Sequence, residues 1–455
     1  MRSALLYTGM LVVAVLAVFG LAHLGDGLVA PTLSAEMGEV ARKAGGSSAA
    51  ALLLALTVVV VSARVCGALV RRFLGQPPVV GEIAAGILLG PSALRALWPE
   101  LGEGLIAPAA LPALKSLSQL GVVLFMFLVG LELDTRLLVG RAREAIAVSH
   151  ASIVAPFVLG VAAALWLYPR YGVAGTGFVA FALFCGAALS VTAFPVLARI
   201  LADHGLTRTP LGVTAIACAA ADDVTAWALL AGVVALAQVE YEAFLTTFVG
   251  ICAYGALVVV VLRPALRRLE RASDLQDTTR FAALMVLVLF SAWATESAGV
   301  HALFGAFVLG ALVPTDGALA RCVVPRLQDA VTVLLLPTFF VVTGLRTDLG
   351  GLTSSDDLWA LALLLGVATL GKLGGTWVAG LAVGMPSRQA AALGLLMNTR
   401  GLMGLVVLDV GLGMGLLSPQ LYTLFVLVAL ATTALTGPLL KRLVSPAASE
   451  TGDPR

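Results

Sequence analysis

Of the chain's 455 residues, 60% are hydrophobic and only 12% charged, where a soluble domain carries about 25% charged residues. With a mean hydropathy of +1.02, too little polar residue remains to coat a water-facing surface, which excludes a single soluble core. The net charge of +2 gives no basis for a nucleic-acid partner, and the five cysteines and four histidines fall in no metal-binding or disulfide spacing.

A bilayer core about 30 Å thick asks for about 20 apolar residues per helix. By that measure the chain predicts spans at 5–24, 49–72, 79–95, 114–135, 143–168, 175–202 and 211–239. A second set follows at 243–264, 279–297, 300–315, 327–345, 357–383, 387–412 and 420–444, which makes fourteen. The first span also fits a signal peptide, but no A-x-A site closes it, so a retained helix is expected. With the N-terminus in the cytoplasm, nineteen of the 28 Lys and Arg fall on the cytoplasmic side, as the positive-inside rule requires. Arg42, Lys43, Arg95, Lys115, Arg170 and Arg346 fall outside, and Arg64, Lys372 and Arg400 within the membrane. The domains expected are an extra helix and external loop at 1–48, a transmembrane domain at 49–445, and a short cytoplasmic tail at 446–455. Cys66, Cys185, Cys218, Cys252 and Cys322 mostly lie in apolar runs and read as small core residues.

Among the acids within the spans, the candidates are Glu82, Glu132, Asp222, Asp223, Glu296 and Asp409. An ionisable side chain at membrane depth costs at least ~2.5–3.5 kcal/mol on insertion scales, so each is a functional candidate. Glu82, Glu132, Glu296 and Asp409 lie near span ends, where an interfacial carboxylate is an equally good account; Glu132 and Glu296 are secondary candidates. Asp222 and Asp223 sit at mid-span among small and apolar residues. Burial and mutual repulsion let one carboxyl of such a pair hold a proton near neutral pH, and a dehydrated monovalent cation displaces it. Adjacent helical residues point about 100° apart, so one acid can face an ion cavity while the other turns to a neighbouring helix and seeks a cation. Lys372, in Thr369-Leu370-Gly371-Lys372-Leu373-Gly374, lies at matching depth.

Two spans carry helix-breaking signals at mid-depth. Pro195 interrupts Ser190-Val191-Thr192-Ala193-Phe194-Pro195, and polar residues with a glycine interrupt Met397-Asn398-Thr399-Arg400-Gly401. Paired discontinuous helices point to the midplane site of inverted-repeat transporters. Thr192, Thr399 and Asn398 offer oxygens there, and Arg400 is expected to neutralise a half-helix C-terminus or one of the acids.

These residues resemble the cation:proton antiporter superfamily of NhaA and NapA type. Gln76-Pro77-Pro78-Val79-Val80-Gly81-Glu82, the stretch Ser190 to Leu201, His301 to Gly310, and Asn398-Thr399-Arg400-Gly401 are most similar to its Kef-related branch, with the plant and fungal cation/H⁺ exchangers. The likeness runs from about residue 50 to 445. It implies an all-α membrane fold of 13–14 helices, with two inverted six-helix repeats, at about 79–264 and 279–444, and two crossed discontinuous helices. It implies a homodimer in which a core domain moves against a dimerisation domain. Asp223 then matches the ion- and proton-binding aspartate, and Asp222 the acid paired with a lysine, here Lys372. Two acids point to electrogenic exchange, and the plant-like motifs tilt the ion toward K⁺ rather than Na⁺. Kef proteins carry a cytosolic nucleotide-binding domain and the plant exchangers a long soluble tail; neither is expected here, nor is any cofactor. A prokaryotic inner membrane is the expected location. The rival readings are a channel-like or sensor protein on the same scaffold and an intramembrane aspartyl protease. The protease needs its two acids, Asp223 and Asp409 at best, on facing helices in a G-x-G-D stretch, which Val407-Leu408-Asp409 lacks.

Overall fold

A computed structural model describes residues 49–132, 142–206, 209–237, 241–272, 276–298, 301–314 and 317–443. The span expected at 5–24 and the tail at 446–455 lie outside the described residues. Every element among those described is helical, the arrangement that lets a chain in lipid satisfy its own backbone polar groups. The first helices are α1 (Ala49–Leu74), α2 (Pro78–Leu89), α3 (Leu111–Glu132) and α4 (Ala142–Tyr171). A broken pair follows, α5 (Phe178–Ser190) and α6 (Phe194–Asp203), then α7 (Pro210–Ala237). Next comes α8, built of Tyr241–Leu257, a π turn at Val258–Leu262 and Arg263–Arg271. The second half holds α9 (Asp277–Ser297), α10 (Ala302–Leu312), α11 (Ala318–Leu345) and α12 (Ser355–Ala382). A second broken pair, α13 (Ser387–Met397) and α14 (Leu402–Gly413), leads to α15 (Pro419–Leu443).

Proline and glycine set most of these boundaries. The sequence predicts full spans at 79–95 and 300–315, yet α2 has 12 residues and α10 has 11, only about 18 and 16 Å of helix. Both end against a proline. Gly90 before Pro91 has ψ −167° and Val313 before Pro314 has ψ 127°, because the proline ring drives the preceding residue out of the helical region. In α8 and α11 the π turn precedes Pro264 and Pro337, whose missing N–H the looser turn accommodates. These helices outrun their predicted spans, α8 continuing to Arg271 and α11 starting at Ala318. The N-terminus of α12 is fixed by a capping box, Ser354 and Asp357 each bonding the other's backbone N–H.

Packing sorts the helices into two groups. In one, α2 lies on α1 and α11, and α10 lies on α3 and α9. In the other, α4, α5, α7, α12, α13 and α15 pack around one another, with α6 on α7 and α14 on α15 and α5. The groups touch more thinly, at α11 with α14 and α7 with α8. One cysteine expectation needs correcting: Cys185, Cys218 and Cys322 are buried, but Cys252 is exposed on α8. In a membrane protein an apolar stretch covers the lipid-facing side as well as the core, so apolar context alone does not bury a residue.

Candidate functional site

The site forms where α4, α7 and α12 meet the two breaks, between α5 and α6 and between α13 and α14. On α12, Lys372 lies inside a π turn, Leu370–Gly374, a distortion that recurs at functional sites. Close approach puts it there: a side chain on Gly371 would come within 2.6 Å of Pro156 Cα on α4. Only a glycine lets the two backbones meet so closely, and the Lys372 side chain lies within the helix bundle with no exposed surface.

Its partner is Asp222 on α7, also fully buried. Lys372 Nζ donates to Asp222 Oδ2 at 3.1 Å. The carboxylate also accepts from Ser149 Oγ (2.6 Å to Oδ1), Ser152 Oγ (3.0 Å to Oδ2) and Thr192 Oγ1 (2.6 Å to Oδ2). Lys372 Nζ donates to Thr192 Oγ1 as well, which closes the network. Ionised carboxylates only accept and ammonium groups only donate, so every bond in the cluster suits a charged pair. Buried charge is tolerable only when paired and hydrogen-bonded in this way.

Thr192 occupies the gap between α5 and α6, and its hydroxyl also lies 3.2 Å from Met397 O at the end of α13. The two gaps touch directly: Ala193 N donates to Thr399 O at 3.0 Å. Arg400 sits in the second gap with its guanidinium on the C-terminal end of α5, donating to Ala188 O (2.8 Å) and Leu189 O (2.5 Å). A cation there balances the negative end of the half-helix. Thr399 Oγ1 bonds its own turn at Leu396 O (2.8 Å), and Asn398 Oδ1 is buried without a protein partner.

Asp223 follows Asp222 on α7 and Glu132 ends α3; their side chains lie outside the described residues. The remaining acids stand apart from the cluster. Glu296 accepts from Ala302 N (2.6 Å) and so caps α10. Asp409 on α14 pairs with Arg346, the residue that caps the C-terminus of α11. Glu82 shares a cavity of about 160 Å³ with Arg64 and Arg71. Sequence reasoning missed Ser149 and Ser152. The available signal was two serines three apart in an apolar helix, a spacing that places both on one face.

The sequence carries family evidence to match. The model of the family described as "Sodium/hydrogen exchanger, transmembrane" matches residues 58–445, and the chain belongs to that family. It is 42% identical over 388 residues to the Na⁺/H⁺ antiporter NhaS4 of Synechocystis, covering 84% of this chain and 94% of that one. It is 37% identical to cation/H⁺ antiporter 18 of Arabidopsis thaliana, over 85% of this chain and 48% of that one. To K⁺/H⁺ antiporter 1 of Saccharomyces cerevisiae it is 30% identical, over 80% of this chain and 43% of that one. The chain thus spans about half the length of these plant and yeast relatives. Its fold matches the sodium proton antiporter MjNhaP1 of Methanocaldococcus jannaschii with a TM-score of 0.61 at 13% identity, covering 86% of this chain and 96% of that one.

Proposed function

We propose that the chain is a secondary antiporter exchanging K⁺ or Na⁺ for H⁺ by competition at the aspartate pair on α7. The observation that carries this reading is the fully buried Asp222–Lys372 pair, seated where two broken helices cross. In this reading Asp222, held by Lys372 and three hydroxyls, is the lysine's permanent partner, and Asp223 is the acid that trades a proton for a cation. Thr192 orders the pair, and Arg400 balances the α5 terminus so that a cation can approach a gap otherwise negative. Asn398 and Thr399 supply further oxygens at the crossing. No covalent chemistry is required. The plant-like motifs favour K⁺, two acids favour electrogenic exchange, and alternating access would move the site-bearing helices against the others. A homodimer in a prokaryotic inner membrane, with the C-terminus cytoplasmic, completes the proposal.

We also place the first inverted repeat one helix earlier than the resemblance implies, at 49–237, and keep the second at 277–443, with α8 between them. Each repeat then holds its break in the fifth helix. The packing follows the same order: α2 lies on α11 and α10 on α3, the second helix of each repeat against the third of the other.

Proteoliposomes loaded with a pH-sensitive dye and given an outward proton gradient test the function. K⁺ or Na⁺, but not choline, should dissipate the gradient in the wild type and not in Asp223→Asn. Silence toward every cation in well-inserted wild type overturns the antiport reading, and full exchange in Asp223→Asn overturns the site.

A further inference from the structure

Two helices that reach the site, α4 with Ser149 and Ser152 and α12 with Lys372, leave a groove of about 730 Å³ between them, within the roughly 300–1,000 Å³ usual for small-molecule sites. Its apolar walls come from Leu159 and Trp166 on α4 and from Leu363 and Val367 on α12, over a floor that includes Ala162. One end is polar. There Arg170 Nε bonds Asp356 Oδ2 at 3.2 Å, with side chains 38% and 54% exposed. Arg170 also stacks on Trp166, 4.1 Å from the ring centroid, and Trp359 stands 69% exposed beside the ion pair.

We propose that this groove binds one phospholipid with a phosphate and a primary ammonium in its headgroup, a phosphatidylethanolamine, whose acyl chain lies along the walls. The dimensions fit. From Arg170 to Leu159, and from Asp356 to Val367, is eleven residues on each helix, about 16 Å, which is about one leaflet of a 30 Å core. The ion pair therefore sits at headgroup level, flanked by two tryptophans, the residue type that marks that level. Charge selects the headgroup. The rim offers one cation and one anion, so an anionic lipid would satisfy Arg170 and face Asp356. An ethanolamine lipid gives Arg170 a phosphate, which its planar fork suits, and gives Asp356 an N–H donor that choline lacks. The lipid would then wedge α4, which carries Ser149 and Ser152, against α12, which carries Lys372. This inference does not depend on which ion is exchanged.

The test uses the full chain in neutral detergent, with native mass spectrometry and thermal unfolding. Phosphatidylethanolamine, phosphatidylcholine and phosphatidylglycerol of identical acyl chains are added separately. The ethanolamine lipid should give the persistent one-lipid adduct and the largest rise in Tm. Ala162→Phe, which fills the groove, should keep the detergent-only Tm and lose that rise. Arg170→Gln keeps the groove but removes the phosphate partner, and should weaken ethanolamine-lipid binding about tenfold, the worth of one charge-assisted hydrogen bond. Equal rises with all three lipids, or an undiminished ethanolamine preference in Arg170→Gln, overturn the proposal. If Ala162→Phe does not fold, the Arg170→Gln comparison decides alone.

Discussion

Asp222 and Lys372 are a pair whose members are worth more together than their sum suggests. Each alone would be a desolvated charge in an apolar bundle, and removing one partner of a buried pair costs about 3–5 kcal/mol. Lys372→Gln should therefore lower Tm strongly, and adding Asp222→Asn should restore part of the loss; a double variant less stable than Lys372→Gln would contradict the pairing. The serines allow a finer comparison. Ser149 Oγ lies 2.6 Å from Oδ1, whereas Ser152 Oγ reaches the two carboxylate oxygens at 3.3 and 3.0 Å. A hydrogen bond to a charged group contributes about 1.5–3 kcal/mol. Ser149→Ala and Ser152→Ala should each lose about that much in chemical denaturation, Ser149→Ala the more. Equal stability of both variants to wild type would mean that the pair holds itself without them.

At the scale of the element, the breaks and the close contacts do different work. The breaks expose carbonyls and leave room for Thr192 and Arg400 where a continuous helix would have none. The π turn of α12 and its glycines draw that helix onto α4. Gly371→Ala would push a methyl against the backbone of Pro156, which cannot retreat without bending α4. Such overpacking costs about 1–3 kcal/mol and should displace Lys372 from Asp222. Exchange rate should therefore fall together with Tm in this variant. A fall in Tm with exchange unaltered would show that the Lys372 position tolerates the shift.

Over the whole molecule, the architecture is legible as a duplication. In sequence, Gly130-Leu131-Glu132-Leu133-Asp134 parallels Gly344-Leu345-Arg346-Thr347-Asp348. The glycines are equivalent: a side chain on Gly130 or Gly310 would strike the backbone of α10 or α3, and one on Gly86 or Gly344 that of α11 or α2. The helix group containing these crossings meets the site-bearing group along a thin seam, where Arg346 at the C-terminus of α11 reaches Asp409 of α14. That pair is mostly buried, its side chains 24% and 20% exposed, so removing one partner leaves a largely desolvated charge. Arg346→Gln should accordingly lower Tm, though less than Lys372→Gln does at the fully buried pair. If the seam opens during transport, the same variant should alter exchange velocity; unaltered velocity would exclude this contact from the rate-limiting movement.

Composition and hydropathy by themselves determined that the chain is a bundle of membrane helices, because lipid leaves a spanning chain few other structures. The cost of burying charge singled out Asp222, Asp223, Lys372 and Arg400, and proline and polar residues marked both breaks. Helix lengths were less legible: the stops at Pro91 and Pro314 were in the sequence but were outweighed by the apolar runs around them. Depth and the family resemblance already matched Lys372 to Asp222, but only the tertiary structure decided how the pair is held. Asp222 and Lys372 are 150 residues apart, and Ser149 and Ser152 look like ordinary helix serines until α4 is packed on α7. Arg346 and Asp409 likewise acquire a common place only when the two helix groups come together. Sequence states the price of burying a charge, but only the packed helices supply the partner that makes the burial possible.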